Sequence, residues 1–399
     1  MSPSEYRRDV FLSPLWKLHV GYHLNELAPY PPDGYRFVMA AKKRGARVFD
    51  LASKLPLALS LLHGASRLAP INLLKSALDA RLGGVPPDVA LTYCCHHVSF
   101  DERPWVIEMD AVWDPIGPDP RQFRRYWPKA DAMLASDACK RVLVFSEFSR
   151  QTLLSISRHD GMEEKVVVLP RAVRAKEHVP RRRPGRAFNL LFVGSANVAG
   201  MFEMRGGKEV LAAFRSLSRR YRDVRLTIRA GMTRRLQDEF GDVLALDNVT
   251  YLPRKLGAGE MEALYASADA LLMPGHYDNW LVVLEAMSYQ LPVITTDLFA
   301  NSERVVDGCN GFLVRPAKHV PYYQDGLPLF GPTPAFQRAI KVVDAATVAD
   351  VVDKTARLIE DRALAERMGL SAREEIERGR FSIANRNRVL KEVFDAALD

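Results

Sequence analysis

The sequence has few cysteines and no long apolar run, and each absence excludes a class of protein. Its four cysteines, Cys94, Cys95, Cys139 and Cys309, do not have the spacing of a metal site or a disulfide framework. No apolar stretch reaches the roughly 20 residues of a membrane-spanning helix. The N-terminus also lacks the charged-then-apolar pattern of a signal peptide. We therefore expect reduced thiols and a cytoplasmic location.

Repeats, low-complexity segments and nucleic-acid-binding motifs are also missing, although the net charge is +8. The aromatic residues are not interleaved with basic ones, as a base-stacking surface would require. The charge is explained either by solvation alone or by contact with an anionic membrane or a diphosphate-bearing substrate. The basic, apolar stretch 40–82 is predicted to be helical, either lying on a membrane surface or packed as a core hairpin.

The length of 399 residues suits two domains of roughly 180 to 200 residues each. The Pro- and Arg-rich segment 174–186 has no apolar period and marks their boundary. We predict a first domain over 1–178 and a second over 187–378. In the second half, strand-length apolar runs alternate with amphipathic helices, which predicts an α/β fold with a parallel, doubly wound sheet.

Residues 273–314 carry the clearest pattern of a binding site. An apolar strand ends at Met273, Pro274 and Gly275 break it, and a helix begins near Trp280 after a polar loop. The free N–H groups and the dipole of a helix N-terminus favour an anion there. Glu285, inside the helix, can accept hydrogen bonds from the hydroxyls of a ribose beside that anion.

The first half contains histidines and carboxylates near predicted strand ends. Strand 88–93 leads into His96 and His97, the position where open α/β sheets bind ligands, although the pair could equally be structural. Strands 105–109 and 141–145 follow, with Asp110 and Asp114 as acceptor or structural candidates and Ser146 as a helix N-cap. Segment 21–37 is predicted to be an irregular loop, in which His23, Asn25 and Glu26 are acceptor-binding candidates or simply solvated.

Three phrases resemble the donor-binding signature of GT-B glycosyltransferases, in particular the retaining family 4. They are Glu285-Ala286-Met287, Pro292-Val293-Ile294 and Arg205-Gly206-Gly207. The resemblance implies two facing Rossmann-like domains, with a C-terminal helix over 379–399 that packs back on the first. The family's usual first acid corresponds to Tyr277, and Asp278 is the neighbouring carboxylate.

The resemblance also implies roles for individual residues. Glu285 would bind the donor ribose, and Arg205 with Lys208 would stabilise the departing diphosphate. Asp278 or His276 would contact the donor sugar. The implied catalytic residues are Arg205, Asp278 and His97, and the implied donor-binding residues are Gly194, Ser195, Lys208, Arg254, His276, Asn279, Trp280, Leu281 and Glu285. Because the sequence has no Asp-x-Asp motif, we expect neither a metal nor another cofactor.

The implied function is transfer of a sugar from a nucleoside-diphosphate sugar to an acceptor hydroxyl with retention. Its setting would be polysaccharide or glycolipid assembly, with peripheral contact at the cytoplasmic membrane face as one option. A non-catalytic scaffold, a nucleotide-sugar epimerase and a glycan phosphorylase share the architecture. A nucleic-acid-binding protein would explain the charge but none of the motifs. The base, sugar and acceptor, and the role of insertion 315–335, are not determined by the sequence.

Overall fold

The computed structural model describes residues 8–14, 22–39, 68–82, 85–177, 186–196, 200–329 and 333–399. The chain divides into two compact units. The first comprises Met1–Arg171 together with Ile383–Asp399, and the second comprises Ala172–Ser382. Each unit contains its own parallel six-stranded sheet.

The sheet of the first unit has the strand order β2-β1-β3-β4-β5-β6, with all neighbours parallel. Its strands are β1 (Arg8–Pro14), β2 (Tyr35–Val38), β3 (Leu91–Cys95), β4 (Trp105–Met109), β5 (Cys139–Val144) and β6 (Val166–Val168). Both β3 and β4 are buried along their whole length, as the covered strands of a parallel sheet are.

Helices follow the strands of the first unit. They are α1 (Ile71–Leu82), α2 (Pro120–Ala135), α3 (Glu147–Ile156) and α4 (Met162–Lys165). Helix α3 begins after Ser146, whose side chain accepts a hydrogen bond from the Ser149 N–H group, so the predicted N-cap is confirmed. Of the predicted helical stretch 40–82, Ile71–Leu82 is helical and residues 40–67 lie outside the described residues.

The prediction of an irregular loop over 21–37 was wrong. A short π-helix (His23–Leu27) is followed by β2, which pairs with β1 at the edge of the sheet. The strand has four residues with no clean alternation of burial, so its sequence carries no period that distinguishes it from a loop. Its place in the sheet depends on β1, about 25 residues earlier in the chain.

The sheet of the second unit has the order β12-β11-β10-β7-β8-β9, again with parallel neighbours. Its strands are β7 (Phe188–Val193), β8 (Val224–Arg229), β9 (Val249–Leu252), β10 (Ala270–Met273), β11 (Val293–Thr296) and β12 (Gly311–Val314). Strand order reverses next to β7, since β8 lies on one side and β10 on the other. In an open α/β sheet such a reversal creates a binding crevice at the carboxyl ends of the strands.

The helices of the second unit lie between and after these strands. They are α5 (Met201–Met204), α6 (Gly207–Arg220), α7 (Arg234–Glu239), α8 (Gly241–Leu244), α9 (Ala258–Ser267), α10 (Trp280–Ser288), a 3₁₀ turn (Asn301–Glu303), α11 (Pro334–Ala339), α12 (Ala345–Glu360) and α13 (Arg362–Glu377). The α/β, doubly wound prediction is confirmed for both units.

The insertion after β12 forms a small apolar cluster of its own. A two-stranded antiparallel hairpin, β13 (Tyr323–Gln324) and β14 (Leu327–Pro328), precedes α11. Tyr322 and Phe336 pack with Leu298 and neighbouring apolar side chains. The insertion therefore covers the chain that follows β11 rather than extending freely into solvent.

The C-terminal helix α14 (Ile383–Leu398) belongs to the first unit, as the resemblance implied. Leu390, Val393 and Phe394 pack in the core of that unit. Buried Arg386 donates hydrogen bonds to the carbonyl oxygens of Glu26 and Tyr30, at 2.6 and 2.7 Å. Among the helices of the described residues, none is both long and apolar enough to span a bilayer.

Candidate active site

The loops at the carboxyl edge of the second sheet are joined by backbone hydrogen bonds. The Gly231 N–H group, after β8, donates to the Ser195 carbonyl, after β7, at 2.8 Å. The His276 N–H group, after β10, donates to the Met204 carbonyl at 2.8 Å. The described parts of segment 194–208, which are 194–196 and 200–208, and segment 273–285 hold most of the predicted donor-binding residues. The second of these parts, 200–208, is therefore a neighbour of segment 273–285 in space.

A glycine allows the closest of these approaches. Gly206 has a φ of 79°, a left-handed conformation that favours glycine. A Cβ atom at Gly206 would lie 2.1 Å from the carbonyl oxygen of Pro274, far inside van der Waals contact. The start of α6 consequently lies directly against the end of β10.

Glu285 and Arg205 both lie beside the buried side chain of Tyr265. Burial raises the pKa of Tyr265 well above its usual value, the Glu285 charge raises it further, and the Arg205 charge lowers it. The Tyr265 ring stacks on Tyr289, with 5.2 Å between ring centroids. The charges of the predicted ribose-binding carboxylate and of the predicted diphosphate-binding cation thus both act on one buried tyrosine.

Arg205 has a cationic neighbour that the sequence did not predict. The Nη1 atom of Arg205 donates to the Val193 carbonyl at 3.1 Å, and Nη1 of Arg229 donates to the next carbonyl, that of Gly194, at 2.9 Å. Burial, and next the charge of Arg229, lower the pKa of Arg205. The only sequence signal for Arg229 was its place at the end of a predicted strand, before Ala230-Gly231.

Lys208 is the cation that the sequence paired with Arg205, and the structure gives it other partners. Its buried Nζ atom lies 2.7 Å from a Glu239 carboxylate oxygen and also contacts the Lys341 carbonyl. Only 3% of its side chain is exposed. The Glu239 carboxylate balances the charge of Lys208. The cation that acts on Arg205 is Arg229 instead.

His276 is held inside the second unit. Its Nδ1 atom lies 2.9 Å from the Tyr322 hydroxyl and its Nε2 atom 3.3 Å from a Glu209 carboxylate oxygen. The side chains of His276 and Glu209 have no exposed surface. Both ring nitrogens thus contact buried protein groups, and the contact of His276 with the donor sugar stays a prediction.

The loop before α10 is held by a cation stacked on an aromatic ring. The carboxylate of Asp278 contacts Nη2 of buried Arg304, and the guanidinium carbon of Arg304 lies 3.8 Å from the Trp280 ring centroid. The Asn279 amide donates to the Tyr277 carbonyl at 3.0 Å. Leu281 is 37% exposed in the first turn of the helix. Asp278 is therefore paired with Arg304, and its side chain is 21% exposed.

Arg254 lies apart from this group on the surface. It follows β9, the last strand of the sheet, and forms a two-pronged ion pair with Glu260, with 3.2 Å in one of the two contacts. Its side chain is 60% exposed. Its predicted donor-binding role would require a ligand that extends across the edge from β7 to β9.

His97, predicted to be catalytic, is buried in the first unit. Its Nε2 atom lies 2.8 Å from the Ser13 carbonyl and its Nδ1 atom 3.0 Å from the Val98 carbonyl. Burial lowers the pKa of His97 below its usual value. This environment does not suit contact with a sugar hydroxyl, because both ring nitrogens face backbone oxygens.

His96, its neighbour, belongs to a buried polar network. Its Nδ1 atom lies 2.8 Å from an Asp114 carboxylate oxygen and its Nε2 atom 3.6 Å from Glu108. Glu108 also contacts His23 and accepts a hydrogen bond from the Tyr93 hydroxyl at 2.6 Å. The candidates His96, Asp114 and His23 are therefore brought together around Glu108.

The charge of Glu108 is stabilised by its neighbours. Burial by itself would raise the pKa of Glu108, but the charges of His23, His96 and Arg171, with the hydrogen bond from His23, lower it to about 2. Arg171 also lies 3.4 Å from the Asp110 carboxylate and 4.0 Å from the Phe145 ring centroid.

His23, Cys95 and Glu108 are also the residues whose positions best approach a metal site in the described part of the chain, with potential ligand atoms within 4.8 Å of one another. His23 Nε2 and Glu108 are in direct contact, and the second Glu108 oxygen binds Tyr93. An ion between them would have to separate the pair, so the arrangement does not fit a metal.

Comparison with known proteins gives two kinds of similarity. Residues 187–324 match the family model "Glycosyl transferases group 1". The D-inositol 3-phosphate glycosyltransferase of Paenarthrobacter aurescens (strain TC1) is 28% identical over 170 residues, 40% of this chain and 41% of that protein. The chain thus matches about two fifths of the length of this curated relative.

Solved structures resemble the whole chain. A glycosyltransferase from Rickettsia africae ESF-5 has a TM-score of 0.59 and 14% identity, covering 98% of this chain and 99% of that one. Anabaena HepE, solved with UDP and glucose, has a TM-score of 0.57 and 14% identity, covering 98% and 100%. The predicted GT-B fold is therefore confirmed, and the assignment to family 4 stays a prediction.

Proposed function

We propose that this chain is a glycosyltransferase that moves a sugar from a nucleoside-diphosphate sugar to an acceptor hydroxyl. The observation that carries the proposal is that Arg205, after β7, and Glu285, after β10, lie on segments joined by the hydrogen bond from the His276 N–H group to the Met204 carbonyl. These segments follow neighbouring strands at the sheet edge where strand order reverses, and the charges of both residues act on Tyr265. A guanidinium suits the diphosphate of a nucleoside diphosphate, and a carboxylate suits its ribose. The similarity of residues 187–324 to group 1 glycosyl transferases supports the same activity.

In the proposed reaction the bond between the anomeric carbon and the diphosphate oxygen breaks. A new bond forms between that carbon and the acceptor oxygen, and the acceptor proton passes to the leaving phosphate. Arg205 stabilises the leaving group because negative charge accumulates on the diphosphate as the bond breaks. Half-buried Glu285 accepts the ribose hydroxyls and orients the donor.

Three finer features belong to the proposal: retention of configuration, metal independence and an acceptor in polysaccharide or glycolipid assembly. HepE, solved with UDP and glucose, makes UDP-glucose the first donor to test. NMR of the product would give its anomeric configuration, and activity in excess EDTA would give its metal requirement. Inversion of configuration, or loss of activity in EDTA that Mg²⁺ restores, would contradict the corresponding feature.

The test of the proposed donor site is a thermal-shift titration with UDP, GDP, ADP, CMP and dTDP. A ligand at 100 times its Kd adds about 2.7 kcal/mol to the free energy of unfolding. We expect one nucleotide to stabilise the wild type and Glu262→Ala, and to have little effect on Glu285→Ala. Glu262 is the matched control because it is an exposed carboxylate on α9, the helix that carries Tyr265. Equal stabilisation of all three proteins would exclude Glu285 from the site.

A non-catalytic partner protein is the second candidate. Its support is that Lys208, Asp278 and His276, three of the predicted donor-binding or catalytic residues, contact other protein groups. A nucleotide that binds without any turnover of UDP-, GDP- or ADP-sugars, with or without added polyol, glycan or lipid acceptors, would favour it. Slow release of free sugar from one donor would contradict it.

A further inference from the structure

The arginines Arg205 and Arg229 place two positive charges at the same corner of the second sheet. Arg229 is the last residue of β8 and is opposite Val193, the last residue of the neighbouring parallel strand β7. The two guanidinium groups donate to the successive carbonyl oxygens of Val193 and Gly194. Their backbones are also joined, because the Gly194 N–H group donates to the Arg229 carbonyl at 2.8 Å.

This pair of cations has no carboxylate to balance it within the part of the chain that the structure describes. The Nε atoms of both arginines are buried and have no hydrogen-bond partner there. Two like charges held side by side in a half-buried position repel each other, and each guanidinium retains N–H groups for another acceptor. Such a pair is costly by itself and becomes favourable when an anion binds both members.

Other cations of the second unit show the contrast. Lys208 is paired with Glu239, Arg215 with Asp242 at 2.6 Å, and Arg254 with Glu260. Arg235, near the same edge, has Glu239 at 3.4 Å and Glu203 at 3.7 Å. Exposed Arg225 also has no carboxylate partner among the described residues, but Arg205 and Arg229 lack one although they are half-buried and their Nε atoms are buried.

The surroundings of the pair indicate the chemistry of an anion that would bind both arginines. Gly206 and Gly207 start the 14-residue helix α6 directly after Arg205, so free N–H groups lie close to it. Tyr265 relates Arg205 to Glu285, a carboxylate suited to a sugar hydroxyl rather than to an anion. The ligand should therefore carry at least two negative charges at one end and hydroxyl groups at the other.

We propose that Arg229 is a second diphosphate-binding residue, and that Arg205 and Arg229 together bind the diphosphate of the donor. This inference rests on the proposed function, and it assigns to Arg229 the role that the sequence assigned to Lys208. Two guanidinium groups offer paired donors that match the oxygens of a phosphate, whereas a single lysine offers a point charge. A bound diphosphate reduces the repulsion between the two arginines. Donor affinity should therefore depend on both Arg205 and Arg229.

The experiment compares Arg229→Gln, Arg205→Gln and the control Arg225→Gln by calorimetric titration with UDP, UMP, uridine and inorganic pyrophosphate. Arg225 is on the same strand as Arg229 and is exposed, so its replacement removes the same formal charge away from the edge. If another nucleoside diphosphate stabilises the wild type in the thermal screen, that base replaces uracil throughout.

We expect Arg229→Gln and Arg205→Gln each to lower the affinity for the nucleoside diphosphate by about 10- to 100-fold. Binding of the nucleoside alone should be unchanged, and Arg225→Gln should bind as the wild type does. Arg229→Lys, which retains the charge without the paired donors, should lie between the wild type and Arg229→Gln. If Arg229→Gln does not fold, Arg229→Met carries the test, because it removes the charge and keeps an apolar stem, and wild-type diphosphate affinity in it would overturn the proposal.

The results separate this inference from the proposed function. Equal diphosphate affinity in Arg229→Gln and Arg225→Gln would overturn the role of Arg229 while leaving the transferase proposal intact. Pyrophosphate binding that depends on both arginines, with no nucleoside diphosphate bound, would support the dianion site and contradict the nucleotide-sugar function. A wild type that binds neither pyrophosphate nor any nucleotide would overturn both.

Discussion

Asp278 and Arg304 form an ion pair in which the arginine side chain is fully buried and the aspartate side chain is 21% exposed. Arg304 also contacts the Asn301 side chain and stacks over Trp280. The pair joins the loop before α10 to the 3₁₀ turn after β11. Asp278 was predicted to contact the donor sugar, and the structure gives it a structural role as well.

Replacement of Asp278 by alanine should therefore destabilise the unliganded protein. Removing one partner of a buried ion pair leaves the other charge uncompensated, so we expect a loss of about 3 kcal/mol in the free energy of unfolding. Urea unfolding would measure it. The control is Asp297→Ala, an exposed carboxylate after β11, which should change stability by less than about 0.5 kcal/mol. If Asp278→Ala were as stable as its control, the pair would contribute nothing to stability.

Replacement of Gly206 by alanine should separate the loops after β7 and β10. The left-handed conformation of Gly206 and the 2.1 Å between a Cβ atom at this position and the Pro274 carbonyl oxygen both oppose a side chain. We therefore expect Gly206→Ala to lower the free energy of unfolding by about 2 kcal/mol or more and to weaken nucleotide binding. Gly259→Ala is the opposite case, since this glycine is in helix α9 with open space around its would-be Cβ. Gly259→Ala should raise the free energy of unfolding by about 0.5 to 1 kcal/mol. Thermal melts would compare the two, and equal effects would refute the close packing at Gly206.

The pairing of His96 with Asp114 should make the effect of Asp114→Asn depend on pH. Burial by itself would lower the pKa of His96, but Asp114 and, less strongly, Glu108 and Asp110 raise it above the usual 6.5. A histidine whose folded-state pKa is raised contributes stability that is complete below the unfolded pKa and is lost as pH rises through the folded pKa.

Asp114→Asn should consequently lower the free energy of unfolding by about 1 to 2 kcal/mol at pH 6 and by less at pH 8.5. Urea unfolding at both pH values would measure the difference. In a His96→Asn background the effect of Asp114→Asn on stability should no longer depend on pH. Asparagine suits this position because His96 has a φ of 64°, which asparagine adopts more readily than most residues. A cost that is the same at both pH values would show that the ion pair is not formed.

Replacement of Tyr322 by phenylalanine should reveal how the insertion supports the site. The Tyr322 hydroxyl is the partner of His276 Nδ1, so its loss leaves a buried ring nitrogen unsatisfied and should cost about 1 to 2 kcal/mol. Tyr323→Phe, one residue away and 50% exposed, should be neutral within about 0.5 kcal/mol. Chemical unfolding of both variants would decide, and equal stability would exclude a bracing role for Tyr322.

The strand-to-helix pattern of the second half could be predicted from the sequence because its signals are local. Phe188–Val193 and Val293–Thr296 are short, mostly apolar or β-branched runs typical of a covered parallel strand, and the structure has them as β7 and β11. Pro274 and Gly275 end β10, and α10 begins at Trp280 as predicted. The sequence likewise placed Arg205 and Glu285 after neighbouring strands, because parallel strands all end at one edge.

Pairing between distant side chains could not be predicted in the same way. His23 and Glu108 are 85 positions apart and Lys208 and Lys341 are 133 apart, and no period in the sequence relates them. Strand β2 was missed for the same reason, since its hydrogen bonds come from β1. Such contacts depend on strand order and side-chain packing.

The sequence by itself determined the α/β class, the parallel sheets and the start of the helix that carries Glu285. Only the tertiary structure decided which cations remain without a described carboxylate partner. Lys208 is adjacent to the glycine pair in sequence, yet its charge is balanced by Glu239. Arg229 is 24 residues from Arg205 and becomes its neighbour because β7 and β8 pair in register, Val193 opposite Arg229. The physical reason is that backbone pattern is set locally, whereas electrostatic balance is a property of the packed unit.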